Sequence, residues 1–351
     1  MILKERASTH VYRQKRMFTK EELEAREHLC VHEQPAYCSA ACPLKLDAKA
    51  MNQAIAQGDF DKALRLYEKI TPLPHILSAL CEAPCEGTCK LCSLGEGIAL
   101  GELEAAAVRF GSRGKGRGLL RKKTKTVAIF GEDLFTLFLA GELSKKMYPV
   151  TFYLSQSDAG ALLTQVLPKV PQGAEADVSG LDVRFLWNAD PENCFRQEAE
   201  QYDLVCASFD VFRALFPEDH AEEALMVCRE RNLITGPWQG TLGAAFAAKK
   251  AALSVDRMAQ KLDPANTRGQ EGSVETKLYT SLEGVAPSKR IACTDRESAM
   301  AEAARCIQCR CEECIKGCAY LRHYKKFPRI LTREIYNNVS IIMGDHMMNK
   351  P

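Results

Sequence analysis

The chain has 351 residues, a formal net charge of +2 and a hydrophobic share of 46%. That length suits about two domains with packed cores, and the near-neutral balance gives no overall pull toward nucleic acid or a membrane surface. No apolar run approaches the ~18 residues of a membrane span, and the N-terminal "MILKERASTHVYRQKRMF" lacks the apolar core of a secretion signal, so a cytoplasmic protein is expected.

Residues 1–110 read as an all-α, cysteine-bearing domain. "LDAKAMNQAIAQGDFDKALRLYEKI" predicts two short amphipathic helices, with Asp47 and Asp59 as their N-caps and Gly58 between them. "TPLP" breaks the chain before a helix that leads into Cys81, and "GELEAAAVRFG" predicts another helix ending at Gly111. Residues 111–125, "GSRGKGRGLLRKKTK", read as a basic linker, because no aromatic interleaves the charges as a nucleic-acid surface would require.

Residues 126–262 alternate strand and helix, the pattern of a reduced, Rossmann-like α/β domain. Strands are expected at "TVAIF", "VTFYL", "LDVRFLW", "YDLVCAS" and "NLITG". Helices are expected at "PENCFRQEAEQ", "HAEEALMVCRERN" and "TLGAAFAAKKAALSVDRMAQKL". Residues 263–293 read as an extended connection, and "TDRESAMAEAAR" as a helix opening a C-terminal cysteine-rich segment, 294–351. The tail stops abruptly at "MMNKP", so the natural chain is expected to continue.

The first strand-to-helix turn lacks its glycine fingerprint. A dinucleotide site wants G-x-G-x-x-G there and an acid at the end of the second strand. The turn reads "GEDLFT": Gly131 stands alone, Asp133 and Thr136 replace the later glycines, and Leu154 replaces the acid. A carboxylate beside a phosphate is repulsive, and leucine cannot hold a ribose hydroxyl.

The cysteines carry the chemistry. Of 16, seven lie in 30–92 (Cys30, Cys38, Cys42, Cys81, Cys85, Cys89, Cys92) and five in 306–318 (Cys306, Cys309, Cys311, Cys314, Cys318). A disulfide framework suits small secreted domains, whereas grouped cysteines in a reducing compartment read as metal ligands. Thiolates suit iron–sulfur clusters, each cubane taking about four, and the proline after Cys42 is a ferredoxin habit. Zinc is the competing reading, above all for the C-terminal group.

"CVHEQPAYCSAACP" and "CEAPCEGTC", with the helical spacer "GDFDKALRLYEKITPLP" between them, resemble the small (beta) subunit of NADPH-dependent glutamate synthase. They also resemble the N-terminal iron–sulfur domain of dihydropyrimidine dehydrogenase. The resemblance implies two 4Fe–4S clusters. One would take Cys30, Cys38 and Cys89. The other would take Cys42, Cys81 and Cys85, with Glu104 where the family places an oxygen ligand. The family's second cysteine falls at Glu33, so Glu33 or Cys92 would have to complete the first cluster, or that cluster is altered or missing. "AEAARCIQCRCEECIKGC" resembles an additional cluster-binding tail of fused relatives, with one of Cys306, Cys309 and Cys311 spare.

The resemblance also implies an FAD site at Gly131 and an inserted NADPH domain. The eroded turn makes FAD doubtful. The NADPH insertion needs ~100 residues and a second fingerprint, but "NLITG" follows "ASFD" too soon for either. The expected function is an electron-transfer subunit with two or three 4Fe–4S clusters. It would work with other redox subunits: a catalytic oxidoreductase subunit, a flavoprotein or a ferredoxin. An FAD-containing NAD(P)H or ferredoxin oxidoreductase, and a zinc-stapled structural subunit, are the alternatives.

Overall fold

The computed structural model describes residues 19–112 and 121–340. The basic stretch 113–120 of the expected linker lies outside the described residues. The described chain divides into two compact units: residues 36–275 with 285–309, and residues up to 35 with 276–284 and those from 310 onward.

The larger unit begins as a layer of short helices. Tyr37–Ala41, Ala48–Ala56, Phe60–Ile70, Pro74–Leu80, Pro84–Gly87 and Leu100–Phe110 follow in chain order, and Arg296–Ala304 joins them from far along the sequence. Local chemistry sets several of their ends. The Asp47 carboxylate accepts from Ala50 N at 3.1 Å and Asp59 from Lys62 N at 2.9 Å, each satisfying an amide that the helix leaves unpaired. Helix Phe60–Ile70 buries Phe60, Ala63, Leu64, Tyr67 and Ile70, the stripe that a 3.6-residue period places on one face. Asp295 and Ser298 form a capping box on Arg296–Ala304, which turns Ala299, Glu302 and Ala303 inward.

The sheet of this unit has six strands: β1 (Val127–Phe130), β2 (Val150–Tyr153), β3 (Arg184–Leu186), β4 (Leu204–Ala207), β5 (Val227–Cys228) and β6 (Leu233–Ile234). Their order is β3-β2-β1-β4-β6-β5, parallel except where β5 pairs antiparallel with β6. β1 is buried on both faces, as expected for a central parallel strand. Helix Leu134–Lys145 is buried along all but its last residue and packs on helix Gly240–Ala259.

The expected helix at "HAEEALMVCRERN" is absent. This stretch instead turns at Met226 and Asn232, both at positive φ, and pairs Val227 and Cys228 with Ile234 and Leu233. Pairing with the neighbouring strand and burial of Val227 and Cys228 override the local helix propensity. Helices Ala159–Val166, Ala174–Ser179 and Phe209–Leu215, which the sequence reading left unassigned, complete the connections. Among the described residues, none of those from 263 to 293 forms a helix or strand.

In the smaller unit, helix Lys20–Glu27 packs on helix Pro328–Ser340. Thr19 and Glu22 form a capping box at its start. Glu27 receives Arg329 at 2.8 Å and Arg333 at 2.7 Å, and Glu33 lies 3.3 Å from both guanidinium groups. Two short helices, Glu313–Gly317 and Ala319–Tyr324, carry the last cysteines of the chain.

Candidate cluster-binding sites

The cysteines fall into three sets. Cys38, Cys89, Cys306 and Cys309 line one cleft of the larger unit, together with Lys49, Asn52 and apolar side chains that include Ile98 and Leu100. Burial pushes the Cys38 thiol up to about 12, and the facing Cys306, Cys309 and Cys89 add to the shift. Gln308 has φ +52, so the chain doubles back between Cys306 and Cys309. Its amide reaches the Cys306 Sγ at 3.5 Å and the Lys49 carbonyl at 3.2 Å, while Lys49 Nζ holds the Cys309 carbonyl at 3.1 Å. Asn52 is 1% exposed, and its Oδ1 has no hydrogen-bond partner.

The second set is Cys42, Cys81, Cys85 and Glu104. Burial is the largest cause raising each of these thiols, followed by the Glu104 charge for Cys81 and Cys85. Backbone amides of Leu46, Leu44 and Lys45 point at the Cys42 sulfur and oppose its shift. Ala83 N donates to the Cys81 Sγ at 3.4 Å. Ala83 itself is left-handed at φ +44, turning the chain so that Cys85 faces Cys81 and Cys42. Glu104 is 4% exposed, and burial raises its carboxyl to about 7. The Tyr67 hydroxyl is buried and directed at Glu104, where it favours the ionised carboxylate, with Cys81 and Cys42 close by.

The third set lies in the smaller unit. Cys314 is raised first by desolvation and then by Cys30, Cys311 and Cys318, which face it. The His32 ring nitrogen Nδ1 lies 3.3 Å from the Cys311 carbonyl, tying the loop after Cys30 to the cysteine run. Glu33 is engaged by arginines of the same unit. The Cys92 Sγ lies 3.5 Å from the Glu86 carbonyl and close to Cys89 across Gly97, but Cys92 does not line the first cleft. Among the described residues, no group of three or more Cys, His, Asp or Glu closes tightly enough for a single metal ion.

Soft thiolates and hydrogen-bond donors aimed at sulfur are what an iron–sulfur cluster requires of its surroundings. Asn52, Tyr67 and Lys49 escape sequence reasoning. Their only sequence signal is a polar residue on, or next to, the buried stripe of an amphipathic helix.

The dinucleotide turn is also legible in the structure. Gly131 has φ +96 and a Cβ there would sit 2.2 Å from Ser208 Oγ, so only glycine fits. The Asp133 carboxylate caps helix Leu134–Lys145. It accepts from Thr136 N at 2.7 Å, Thr136 Oγ1 at 2.9 Å and Trp238 Nε1 at 3.2 Å. Leu154 is fully buried. The Glu82 carboxylate, between Cys81 and Cys85 in sequence, caps helix Gly240–Ala259 by accepting from Thr241 N at 2.6 Å and Leu242 N at 3.0 Å. The N-termini of both helices, ordinary anion sites of such a fold, thus face the protein's own carboxylates.

Grouped thiols on short helices beside a mainly parallel sheet fit an iron–sulfur protein of mixed α/β architecture. Residues 7–113 match the family described as dihydropyrimidine dehydrogenase domain II, 4Fe-4S cluster. The chain is 26% identical over 153 residues to the NADPH-Fe(3+) oxidoreductase subunit beta of Geobacter sulfurreducens, covering 42% of this chain and 23% of that protein. It is 27% identical over 138 residues to the glutamate synthase (NADPH) small chain of Bacillus subtilis, covering 38% and 27%. It is 30% identical over 101 residues to the NADP(+)-dependent formate dehydrogenase subunit beta of Moorella thermoacetica, covering 29% and 13%. The matches span about a quarter or less of the length of these relatives. Residues 7–113 thus carry the match to a 4Fe–4S cluster family, and the resemblance to oxidoreductase beta subunits holds.

Proposed function

We propose that this chain is an electron-transfer subunit of a cytoplasmic redox complex, passing electrons one at a time between a donor and a catalytic partner. The observation that carries the reading is the gathering of eleven cysteines and Glu104 into three sets of four. A 4Fe–4S cluster, when bound, accepts and releases a single electron at a potential set by its ligands and the hydrogen bonds to its sulfurs. The residues here hold and tune. Amides of 44–46 are aimed at Cys42, Lys49 sets a positive charge beside the first set, and apolar side chains exclude water from the cleft.

Flavin and NADPH are not part of this function. Asp133 occupies the N-terminus of the helix after the first strand, where a dinucleotide's pyrophosphate would lie, Glu82 caps helix Gly240–Ala259, and Leu154 offers no partner to a ribose. The relatives named as subunits of oxidoreductases support a redox partner, either a catalytic oxidoreductase subunit, a flavoprotein or a ferredoxin.

One observation favours a flavin-bearing oxidoreductase instead: the β3-β2-β1-β4 order and the left-handed Gly131 turn are those of a dinucleotide fold. The test is anaerobic purification of the full chain with iron, acid-labile sulfide, zinc and flavin measured per chain. Roughly eight to twelve irons with matching sulfide and no flavin support the relay. Stoichiometric flavin moves the assignment to the oxidoreductase, and zinc without sulfide moves it to a structural subunit.

A further inference from the structure

The C-terminal cysteine run reads in sequence as one cluster motif. The geometry points to a partition of that run: Cys306 and Cys309 complete a cluster with Cys38 and Cys89, while Cys311, Cys314 and Cys318 hold a separate cluster with Cys30. This rests on the iron–sulfur reading and adds to it the ligand set of each cluster. It also replaces the grouping that the resemblance implies, in which Cys30, Cys38 and Cys89 share one cluster that lacks a fourth thiolate.

Three observations carry the first half. Cys38, Cys89, Cys306 and Cys309 open onto one cleft, two from the N-terminal motif and two from the C-terminal run. The turn that presents Cys306 and Cys309 is fastened locally by Lys49 and Gln308, so the pair is held there by the same helix layer that carries Cys38. The Asn52 side chain is almost fully buried, lines this cleft and has an unpartnered oxygen. A buried amide without a partner costs about 1–3 kcal/mol. Oxygen and nitrogen of an amide exchange places by a flip. The flipped amide donates N–H to a cluster sulfur, which supplies the partner that the protein alone does not. Lys49 and Lys90 also line the cleft, offsetting the negative charge of four thiolates.

The second half rests on the smaller unit. Cys30 faces Cys314 alongside Cys311 and Cys318. His32 stacks on Phe327 and reaches the Cys311 carbonyl, holding the loop after Cys30 against the run. Glu33, the position that would have completed the older grouping, faces Arg329 and Arg333. The partition leaves neither set short of a ligand, and it leaves Cys92 without a cluster.

The test is an additivity experiment on the anaerobically purified full chain. Cys38→Ala, Cys309→Ala and Cys314→Ala are made singly, along with the Cys38→Ala/Cys309→Ala and Cys309→Ala/Cys314→Ala pairs. Iron, sulfide and the electron paramagnetic resonance of oxidised and dithionite-reduced protein are recorded. The expected result is that Cys38→Ala and Cys309→Ala abolish the same reduced-state signal or convert it to a three-iron signal, and that their double variant loses no more. Cys314→Ala alters a different signal, and its pair with Cys309→Ala loses both. The signal of the Cys42, Cys81, Cys85 and Glu104 set persists throughout and reports that each variant is folded. Where an alanine variant loses that signal too, the Cys→Ser variant at the same position replaces it.

The partition is overturned if Cys309→Ala and Cys314→Ala remove one and the same signal while Cys38→Ala removes another. Wild-type protein without iron or sulfide would instead sink the electron-transfer reading itself, so the two failures are distinct.

Discussion

Glu302 is a carboxylate with no exposed surface, and replacing it with alanine tests how the late helix is fastened to the helical layer. Glu302 accepts Ala99 N at 2.9 Å, Ile291 N at 2.8 Å, and Arg305 Nη1 on both oxygens at 2.7 and 2.8 Å. Breaking a buried ion pair by removing one partner costs about 3–5 kcal/mol. Arg305 keeps the Glu96 carbonyl at 2.6 Å and the Ser288 carbonyl at 3.1 Å, so its charge is not stranded and the low end applies. The buried Ala99 amide loses its acceptor, worth about 1–3 kcal/mol. Because the two overlap, we expect about 4 kcal/mol for Glu302→Ala and about half that for Glu302→Gln, which keeps one acceptor oxygen. With a urea slope of about 3 kcal/mol/M, Glu302→Ala should lower the unfolding midpoint by roughly 1 M. The assay is an anaerobic urea titration followed by far-UV circular dichroism. A midpoint shift below roughly 0.3 M would refute the claim that this carboxylate fastens the late helix.

Gly131→Ala should cost about 3 kcal/mol or more, since a left-handed backbone and contacts of 2.2 Å to Ser208 Oγ and 2.8 Å to Val211 Cγ2 leave no room for a methyl group. A thermal midpoint within two degrees of wild type would contradict that packing. Asp256 gives the pH prediction. Burial opposes its ionisation, but hydrogen bonds from Lys123, Lys146 and Tyr148 outweigh burial and hold the carboxyl below its usual range. With a folded value below the unfolded ~3.9, its contribution is present above that value and fades as pH falls through the folded one. Asp256→Asn should therefore be less stable than wild type by about 2 kcal/mol at neutral pH, with the gap closing below about pH 4. A gap that stays constant with pH would show that the ion cluster does not act through charge.

What the sequence makes legible here is local. Asp47 and Asp59 are read as caps because each bonds an amide three residues on, and the structure finds both bonds. The iron–sulfur domain is legible because "CEAPCEGTC" sets three thiols within nine residues. Residues 220–232 mislead because their partner, Leu233–Ile234, is a strand whose pairing outweighs helix propensity. Asp133 reads as a repulsive group beside a phosphate, and the sequence has no way to announce that it caps its own helix and receives the Trp238 indole. The sets of thiols are the least legible. Cys38 and Cys306 are brought to one cleft by helix packing across most of the chain, and no spacing rule reaches that far.

The bond between the Ala99 amide and Glu302 spans 203 residues, and this sets a timetable for the newborn protein. At a synthesis rate of about 5–20 residues per second, the early helices wait about 10–40 s on the ribosome before their last helix exists. During that interval Cys38 and Cys89 have emerged, but Cys306 and Cys309 have not. A prematurely terminated chain never receives the piece that finishes its first layer. On the proposed partition, loading of the Cys38, Cys89, Cys306 and Cys309 set follows synthesis of the late helix, whereas the Cys42, Cys81, Cys85 and Glu104 set is complete long before it.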